Sequence, residues 1–335
     1  MRVEVEVLQE HAEGSAALHE ATLRGLRATP KQIPAVWLYD ERGSRLFEEI
    51  TRLPEYYLTR VERQILEERA PEIALETRAE SLVELGSGTS EKTRLLLDAL
   101  LAQGTLSSFV PLDVSEEVLI ASARAIAKEY PGLEVHAVVG DFERHLAALP
   151  TDRRRLFAFL GSTIGGLGVD ARQRFLRAVA ASLGAKGTLL LGLDLVKDPA
   201  RIEAAYTDGS GLSERFQRNG LANLDRELGS DFSHRRFEHY AVWDAEHEWV
   251  DIGFRSLGAQ VVQVPALEIE VAFADGECLR TSVSSKFRRD RFDADLAAAG
   301  LHSTRWWTDA NGDFALLLAV PSPRPVSGRC DAAPR

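Results

Sequence analysis

Strand-length apolar runs alternate with helix-spaced apolar positions along the middle of the chain. Ser81–Leu85 is a short apolar run ending at a glycine loop, and Glu91–Ala102 follows with Leu95, Leu96, Leu97, Leu100 and Leu101 on helical spacing. Ser108–Leu112 then reads as a strand, Glu116–Glu129 as a helix, Val135–Val139 and Leu156–Leu160 as strands, Arg172–Leu183 as a helix and Thr188–Leu193 as a strand. Strands alternating with helices predict an α/β domain with a parallel sheet covered on both faces. After Asp194 the rhythm breaks. A helical stretch, Gly211–Leu228, leads into strand-like runs at Phe237–Trp243, Trp249–Ser256, Gln260–Val264 and Glu268–Phe273, before helix-like Arg288–Ala299 and strand-like Phe314–Val320 restore the alternation. At the start, Glu10–Arg27 reads as a helix that Thr29-Pro30 and Pro34 interrupt.

This pattern predicts five segments: residues 1–60 joining a substrate-binding unit, 61–196 forming the first part of the α/β domain, 197–285 as an insertion, 286–321 as the return to the α/β domain, and 322–335 as a loose tail. Composition narrows the function without naming it. The 335 residues carry 40 Lys+Arg against 51 Asp+Glu, a net charge of −11 that opposes broad binding to nucleic acid or an anionic membrane. The two cysteines, Cys278 and Cys330, cannot build a disulfide framework or a cysteine zinc site, and no metal is expected. The N-terminal residues lack a signal-like apolar core and no run reaches the length of a membrane span, so a cytoplasmic, monomeric protein acting on a small molecule is expected.

The candidate chemistry begins at Glu84-Leu85-Gly86-Ser87-Gly88-Thr89-Ser90-Glu91-Lys92-Thr93, between a strand and its helix. Its Gly-x-Gly lets a ligand approach the backbone closely. A dinucleotide fingerprint needs a third small residue where Glu91 stands, and the Gly-Lys-Ser/Thr ending of a nucleotide phosphate loop is missing. S-adenosylmethionine (SAM), which has adenosine and an amino-acid tail but no phosphate, fits better. Asp113 ends the second strand, where a ribose needs a carboxylate, and Gly140-Asp141-Phe142 ends the third, where adenine needs polar contact. Taken alone, Asp113 reads equally well as a helix cap before Ser115.

These blocks resemble those of the ergothioneine-pathway histidine N-alpha-methyltransferases, and the resemblance extends from about Pro34 to Val320. It runs through Trp37-Leu38-Tyr39-Asp40-Glu41-Arg42-Gly43-Ser44-Arg45-Leu46-Phe47, Leu53-Pro54-Glu55-Tyr56-Tyr57, the glycine loop, Leu112-Asp113-Val114-Ser115, Gly140-Asp141-Phe142 and Glu227-Leu228-Gly229-Ser230-Asp231-Phe232. Phe159-Leu160-Gly161-Ser162-Thr163-Ile164-Gly165, Tyr206-Thr207-Asp208 and Arg215-Phe216-Gln217-Arg218-Asn219 continue the series. The resemblance implies a Rossmann-like class I methyltransferase with a mostly parallel seven-stranded sheet, plus a second α+β substrate-binding lid domain. It implies SAM as cofactor, S-adenosyl-L-homocysteine as its product, and contacts to SAM from Gly86, Lys92, Asp113, Asp141 and Phe142. Tyr56 and Tyr206 would hold an amino-acid substrate with Tyr39 and Phe47 nearby, and Tyr39 and Tyr206 would position the amine for transfer.

Two positions depart from the family. Gly166 stands where the family usually has Asn, and Ser282 where it usually has Glu; Val283 and Ser284 complete that stretch of the pocket. A missing charged acceptor costs about 1.5–3 kcal/mol of hydrogen bonding. The expected reaction is therefore SAM-dependent Nα-methylation of a free amino acid to a trimethylated betaine. The substrate is histidine or a close relative, with tryptophan or another heteroaromatic amino acid as the alternative.

Overall fold

The computed structural model describes residues 3–8, 11–150 and 152–323. Most of the expected tail, residues 324–335 with Cys330, lies outside them. In chain order the elements begin with β1 (Val3–Val7), α1 (His11–Leu26), β2 (Lys31–Gln32), α2 (Glu41–Ile50) and α3 (Tyr57–Thr77). The alternating region supplies β3 (Ser81–Leu85), α4 (Arg94–Ala102), β4 (Ser108–Asp113), α5 (Glu116–Glu129), β5 (Glu134–Val139), α6 (Phe142–His145), β6 (Arg155–Phe159), α7 (Val169–Leu183) and β7 (Thr188–Asp194). There follow α8 (Pro199–Ala204), α9 (Leu212–Leu228), β8 (Phe237–Asp244), β9 (Trp249–Ser256), β10 (Gln260–Val264), β11 (Ile269–Phe273) and β12 (Cys278–Ser285). The chain returns through α10 (Arg289–Ala298), β13 (Leu301–Thr308) and β14 (Phe314–Pro321).

The main sheet has the order β1-β5-β4-β3-β6-β7-β14-β13, with β14 antiparallel to both neighbours and the other pairings parallel. The chain order reverses at β3, which opens a ligand crevice at the carboxyl ends of β3, β4 and β6. Strands β3, β6 and β7 are almost wholly buried, as their continuous apolar runs require when helices cover both faces.

The expected seven-stranded sheet has eight strands. Val3-Glu4-Val5-Glu6-Val7 alternates as a half-exposed strand does, and it adds in parallel to the open edge of β5, Val3 opposite Val135 and Val7 opposite Val139. The first 60 residues therefore do not all join the substrate-binding side: β1 satisfies an edge of the main sheet instead. The pattern also missed α3, which runs through Pro71, and β13, an exposed edge strand with a bulge between Ser303 and Arg305. The helix expected from Glu91 starts at Arg94, because Ser90 sits at a φ of 51° and the next residues turn.

The second sheet has the order β2-β12-β9-β8, with the β10-β11 hairpin beside it. Leu26, Ile33 and Trp37 share a core with Leu221, Leu224, Phe237, Phe254, Phe273 and Leu279, so residues far apart in the sequence bury one another. At Gly165, a Cβ would fall 2.8 Å from the carbonyl oxygen of Ser285. The absence of a side chain there lets the turn after β6 lie against β12, bringing the second sheet to the carboxyl edge of the first.

Candidate active site

The glycine loop leaves β3 with φ values of 65° at Gly86 and 49° at Gly88, and a Cβ at either position would meet nothing within 4 Å. The loop is thus a turned backbone with open space over it. Asp113, at the end of β4, accepts from the N–H of Gly88 at 2.8 Å and from that of Ser115 at 2.9 Å. The helix-cap reading does not hold: α5 takes Ser115 as its N-cap without a side-chain cap, and Asp113 closes the turn before it, its carboxylate keeping further lone pairs to offer. Burial raises the Asp113 carboxyl pKa, and the Ser115 and Gly88 N–H groups act against that rise. The buried Ser87 hydroxyl has no hydrogen-bond partner among the described residues. Open glycines, an unpartnered hydroxyl and a rim carboxylate fit a ligand rich in hydroxyl and amine groups.

Beneath the loop, buried Glu84 accepts from Thr93 and, at 2.7 Å, from Ser90. Burial pushes its pKa up to about 7 despite those two bonds. Lys92 turns its ammonium to Glu62, which is fully buried and also accepts from the Gly161 N–H at 2.7 and 2.9 Å. Asp141 caps α6 through the Glu143 N–H at 2.8 Å. The Phe142 ring packs into the core, with centroids 4.9 Å from Phe159 and 5.7 Å from Phe175.

Next to the crevice, the rings of the N-terminal segment and the insertion form one cup. Tyr39 lies 5.8 Å from Phe47 and 5.3 Å from Phe216, Phe47 lies 6.0 Å from Tyr56, and Tyr56 lies 6.3 Å from Tyr206. The Ser115 hydroxyl contacts the Tyr39 carbonyl oxygen at 3.4 Å, linking the cup to the rim that holds Asp113. Burial, then the neighbouring Tyr206 and Asp113, hold the Tyr39 phenol above the ordinary tyrosine range. Burial and Tyr206 do the same for Tyr56. Both phenols keep their protons at neutral pH and offer hydroxyls. Tyr39 is held by its neighbours in the chain: Asp40 caps α2 at Gly43 and accepts from Asn219 at 2.7 Å, while Asn223 donates to the Trp37 carbonyl at 2.7 Å.

The third wall is β12. Ser282, Val283 and Ser284 are half-buried there, and Ser284 shares a 2.8 Å hydrogen bond with the Tyr206 hydroxyl. Gly166 faces them across open space, the nearest atom to a Cβ there being the Val283 carbonyl oxygen at 4.0 Å. Ser282 has the Gln217 amide nitrogen 3.5 Å away.

The family described as "Histidine-specific methyltransferase, SAM-dependent" matches residues 18–321. The chain belongs to this family. It is a SAM-dependent methyltransferase. It is 52% identical over 307 residues to the histidine N-alpha-methyltransferase of Mycobacterium tuberculosis, covering 92% of this chain and 96% of that one. It is 51% identical over 304 residues to the histidine N-alpha-methyltransferase of Mycolicibacterium smegmatis, covering 91% of this chain and 95% of that one. It is 30% identical over 311 residues to ergothioneine biosynthesis protein 1 of Neurospora crassa, covering 88% of this chain but 33% of that longer protein.

The methyltransferase thus brings Tyr39, Phe47, Tyr56, Tyr206, Gly166 and Ser282–Ser284 together beside Gly86 and Asp113. Sequence reasoning missed Phe216, which completes the cup from α9. It also missed a charged cluster behind Tyr206. Asp194 ends β7 and is fully buried. It accepts from Tyr57 at 2.9 Å on both oxygens, from Lys197, and from Lys286 at 2.8 Å. A carboxylate at the end of a central strand was the one available signal for this cluster.

Proposed function

We propose that this enzyme moves methyl groups from SAM to the α-amine of free histidine, giving the trimethylated betaine. The cup carries the reading: aromatic rings and tyrosine hydroxyls stand over the carboxyl edge of the sheet, next to the loop and carboxylate suited to SAM. Identity of 52% to a histidine N-alpha-methyltransferase along nearly the whole chain supports the same substrate. Gly86, Gly88 and Ser87 would line the cofactor, Asp113 would take the ribose hydroxyls, Lys92 would stand near its amino-acid tail, and Asp141 with the Phe142 backbone would meet adenine.

SAM, when bound, supplies an electrophilic methyl carbon on a sulfonium whose leaving thioether is neutral. The chain has then to present a deprotonated nitrogen in line, and positioning of this kind supplies about 7–11 kcal/mol of a barrier. Rings from Tyr39, Phe47, Phe216 and Tyr56 exclude water around the amine, which disfavours its charged form. The Tyr39 and Tyr56 hydroxyl oxygens accept from the amine N–H and turn its lone pair. As methyl groups accumulate, the ring faces stabilise the quaternary ammonium. The same reading has the enzyme working in the cytoplasm as a monomer on a small molecule, without nucleic acid or membrane.

A second reading keeps the chemistry and changes the ring. The open space at Gly166 and the short hydroxyl of Ser282, in place of the family's usual Asn and Glu, favour a larger, less polar heteroaromatic such as tryptophan. Incubation with SAM and a panel of free amino acids, read by mass spectrometry, decides. Whole methyl units added to histidine support the first reading, and preference for tryptophan selects the second. Transfer only to a phenol, a carboxyl or a protein side chain refutes both.

A further inference from the structure

Glu62 stands on α3 with its side chain fully buried, and the main sheet makes room for it. A Cβ at Gly192 in β7 would collide with Glu62 Oε1, so no larger residue can stand there while the carboxylate keeps its place. Both carboxylate oxygens lie within reach of the Gly161 N–H, at 2.7 and 2.9 Å, where the chain leaves β6. The group is thus anchored to the sheet through a backbone donor, independently of any cation. Its one ionic partner among the described residues is Lys92, from the glycine loop.

Lys92 stands differently. Its side chain keeps 20% of its surface exposed, and its Nζ lies 3.7 Å from where a Cβ at Gly161 would be, so the charge sits at the carboxyl end of β6 beside the crevice. An ammonium has three N–H groups. Glu62 takes one, and among the described residues no other acceptor meets the rest. Two donors are left for a ligand. A lysine on its flexible four-carbon stem has no fixed place of its own, and partial removal from water favours loss of its proton. A buried carboxylate held from behind opposes both effects: it fixes the ammonium at one point and keeps it charged.

We infer that Glu62 is a positioning residue for the cofactor, holding the Lys92 ammonium charged and aimed at the α-carboxylate of SAM. Full burial keeps Glu62 itself out of contact with the ligand, so its effect passes through the lysine alone. The inference rests on the placement of Lys92 at the amino-acid tail of SAM proposed above.

The test compares SAM with decarboxylated SAM, which lacks only that carboxylate, by titration calorimetry on the full chain. Wild type is expected to bind SAM the more tightly, and Lys92→Met to lower the ratio of the two affinities roughly ten- to a hundredfold. Glu62→Gln keeps an amide oxygen for the Gly161 N–H but loses the charge. It is expected to lower the same ratio roughly tenfold through SAM, leaving decarboxylated SAM unaffected. The double variant Glu62→Gln with Lys92→Met carries neither charge and is expected to match Lys92→Met. That comparison also decides the matter if Glu62→Gln alone does not fold. An unchanged ratio in Glu62→Gln overturns the inference. So does an equal loss of both ligands, the mark of a purely structural role, or a double variant that binds either ligand more weakly than Lys92→Met. A ratio indifferent to Lys92→Met refutes the placement of Lys92 itself, and the inference falls with it.

Discussion

Asp113 shows how one side chain can serve two purposes. Its carboxylate holds the Gly88 and Ser115 N–H groups, fixing the loop, and on the proposed reading the same group would accept from the ribose hydroxyls of SAM. Asp113→Ala is expected to lower SAM affinity at least about a hundredfold, since charge-assisted bonds to the ligand and the loop clamp disappear together. Titration calorimetry with SAM checks this, and unchanged affinity removes Asp113 from the site. Glu84, one strand inward, gives a pH signature. Its pKa is pushed up to about 7 by burial, above the ordinary glutamate value near 4.3. The folded state therefore binds more protons than the unfolded chain between those values, and this residue's contribution to stability falls as pH rises across that window. The total is on the order of a few kcal/mol. Denaturant melts between about pH 4.5 and 8 are expected to show a flatter pH dependence in Glu84→Gln, whose amide does not titrate.

Among the elements, the contact between the turn after β6 and β12 decides the shape of the pocket. A Cβ at Gly165 would sit 2.8 Å from the Ser285 oxygen and 3.3 Å from its nitrogen, both backbone atoms that cannot swing away. Gly165→Ala is expected to cost about 1–3 kcal/mol of stability by overpacking. It also raises the KM for the amino acid, because Ser284 and Lys286 shift from Tyr206. Gly166→Ala, one residue on, meets only the Val283 oxygen at 4.0 Å and leaves stability within about 0.5 kcal/mol. Thermal melts and steady-state kinetics on the pair separate the two positions; equal effects remove the proposed contact.

Across the whole molecule, the aromatic cup and its β12 wall form only where three distant stretches meet: residues 35–57, 199–228 and 278–286. Asn223 on α9 secures the first to the second through the buried Trp37 carbonyl. Asn223→Ala leaves that carbonyl unpaired and is expected to cost about 1–3 kcal/mol. Loosening the segment that holds Tyr39 is expected to raise amino-acid KM several-fold while SAM affinity, on the proposed reading a property of the loops after β3 and β4, stays constant. Chemical denaturation with paired kinetic and calorimetric measurements checks the split, and a matching loss of SAM affinity contradicts it.

The strands and helices around the glycine loop were legible because local periodicity states them: continuous apolar runs for β3 to β7, helical spacing for α5 and α7. The placement of Gly86, Asp113 and Asp141, the residues proposed for the cofactor, at successive strand ends was legible too, since those ends converge where a parallel sheet reverses. The family blocks carried Tyr39, Tyr56, Tyr206 and the departures at Gly166 and Ser282. Other features had no local signature. The Val3–Val7 edge strand pairs with residues more than a hundred positions away, so only the assembled sheet reveals it. Lys286, Asp194, Lys197 and Tyr57 look like ordinary polar residues in the chain, and Phe216 like one more apolar position of a helix. Their roles come from burial together. A lysine ammonium meets three fixed acceptors only once folding removes water and leaves it no other partners.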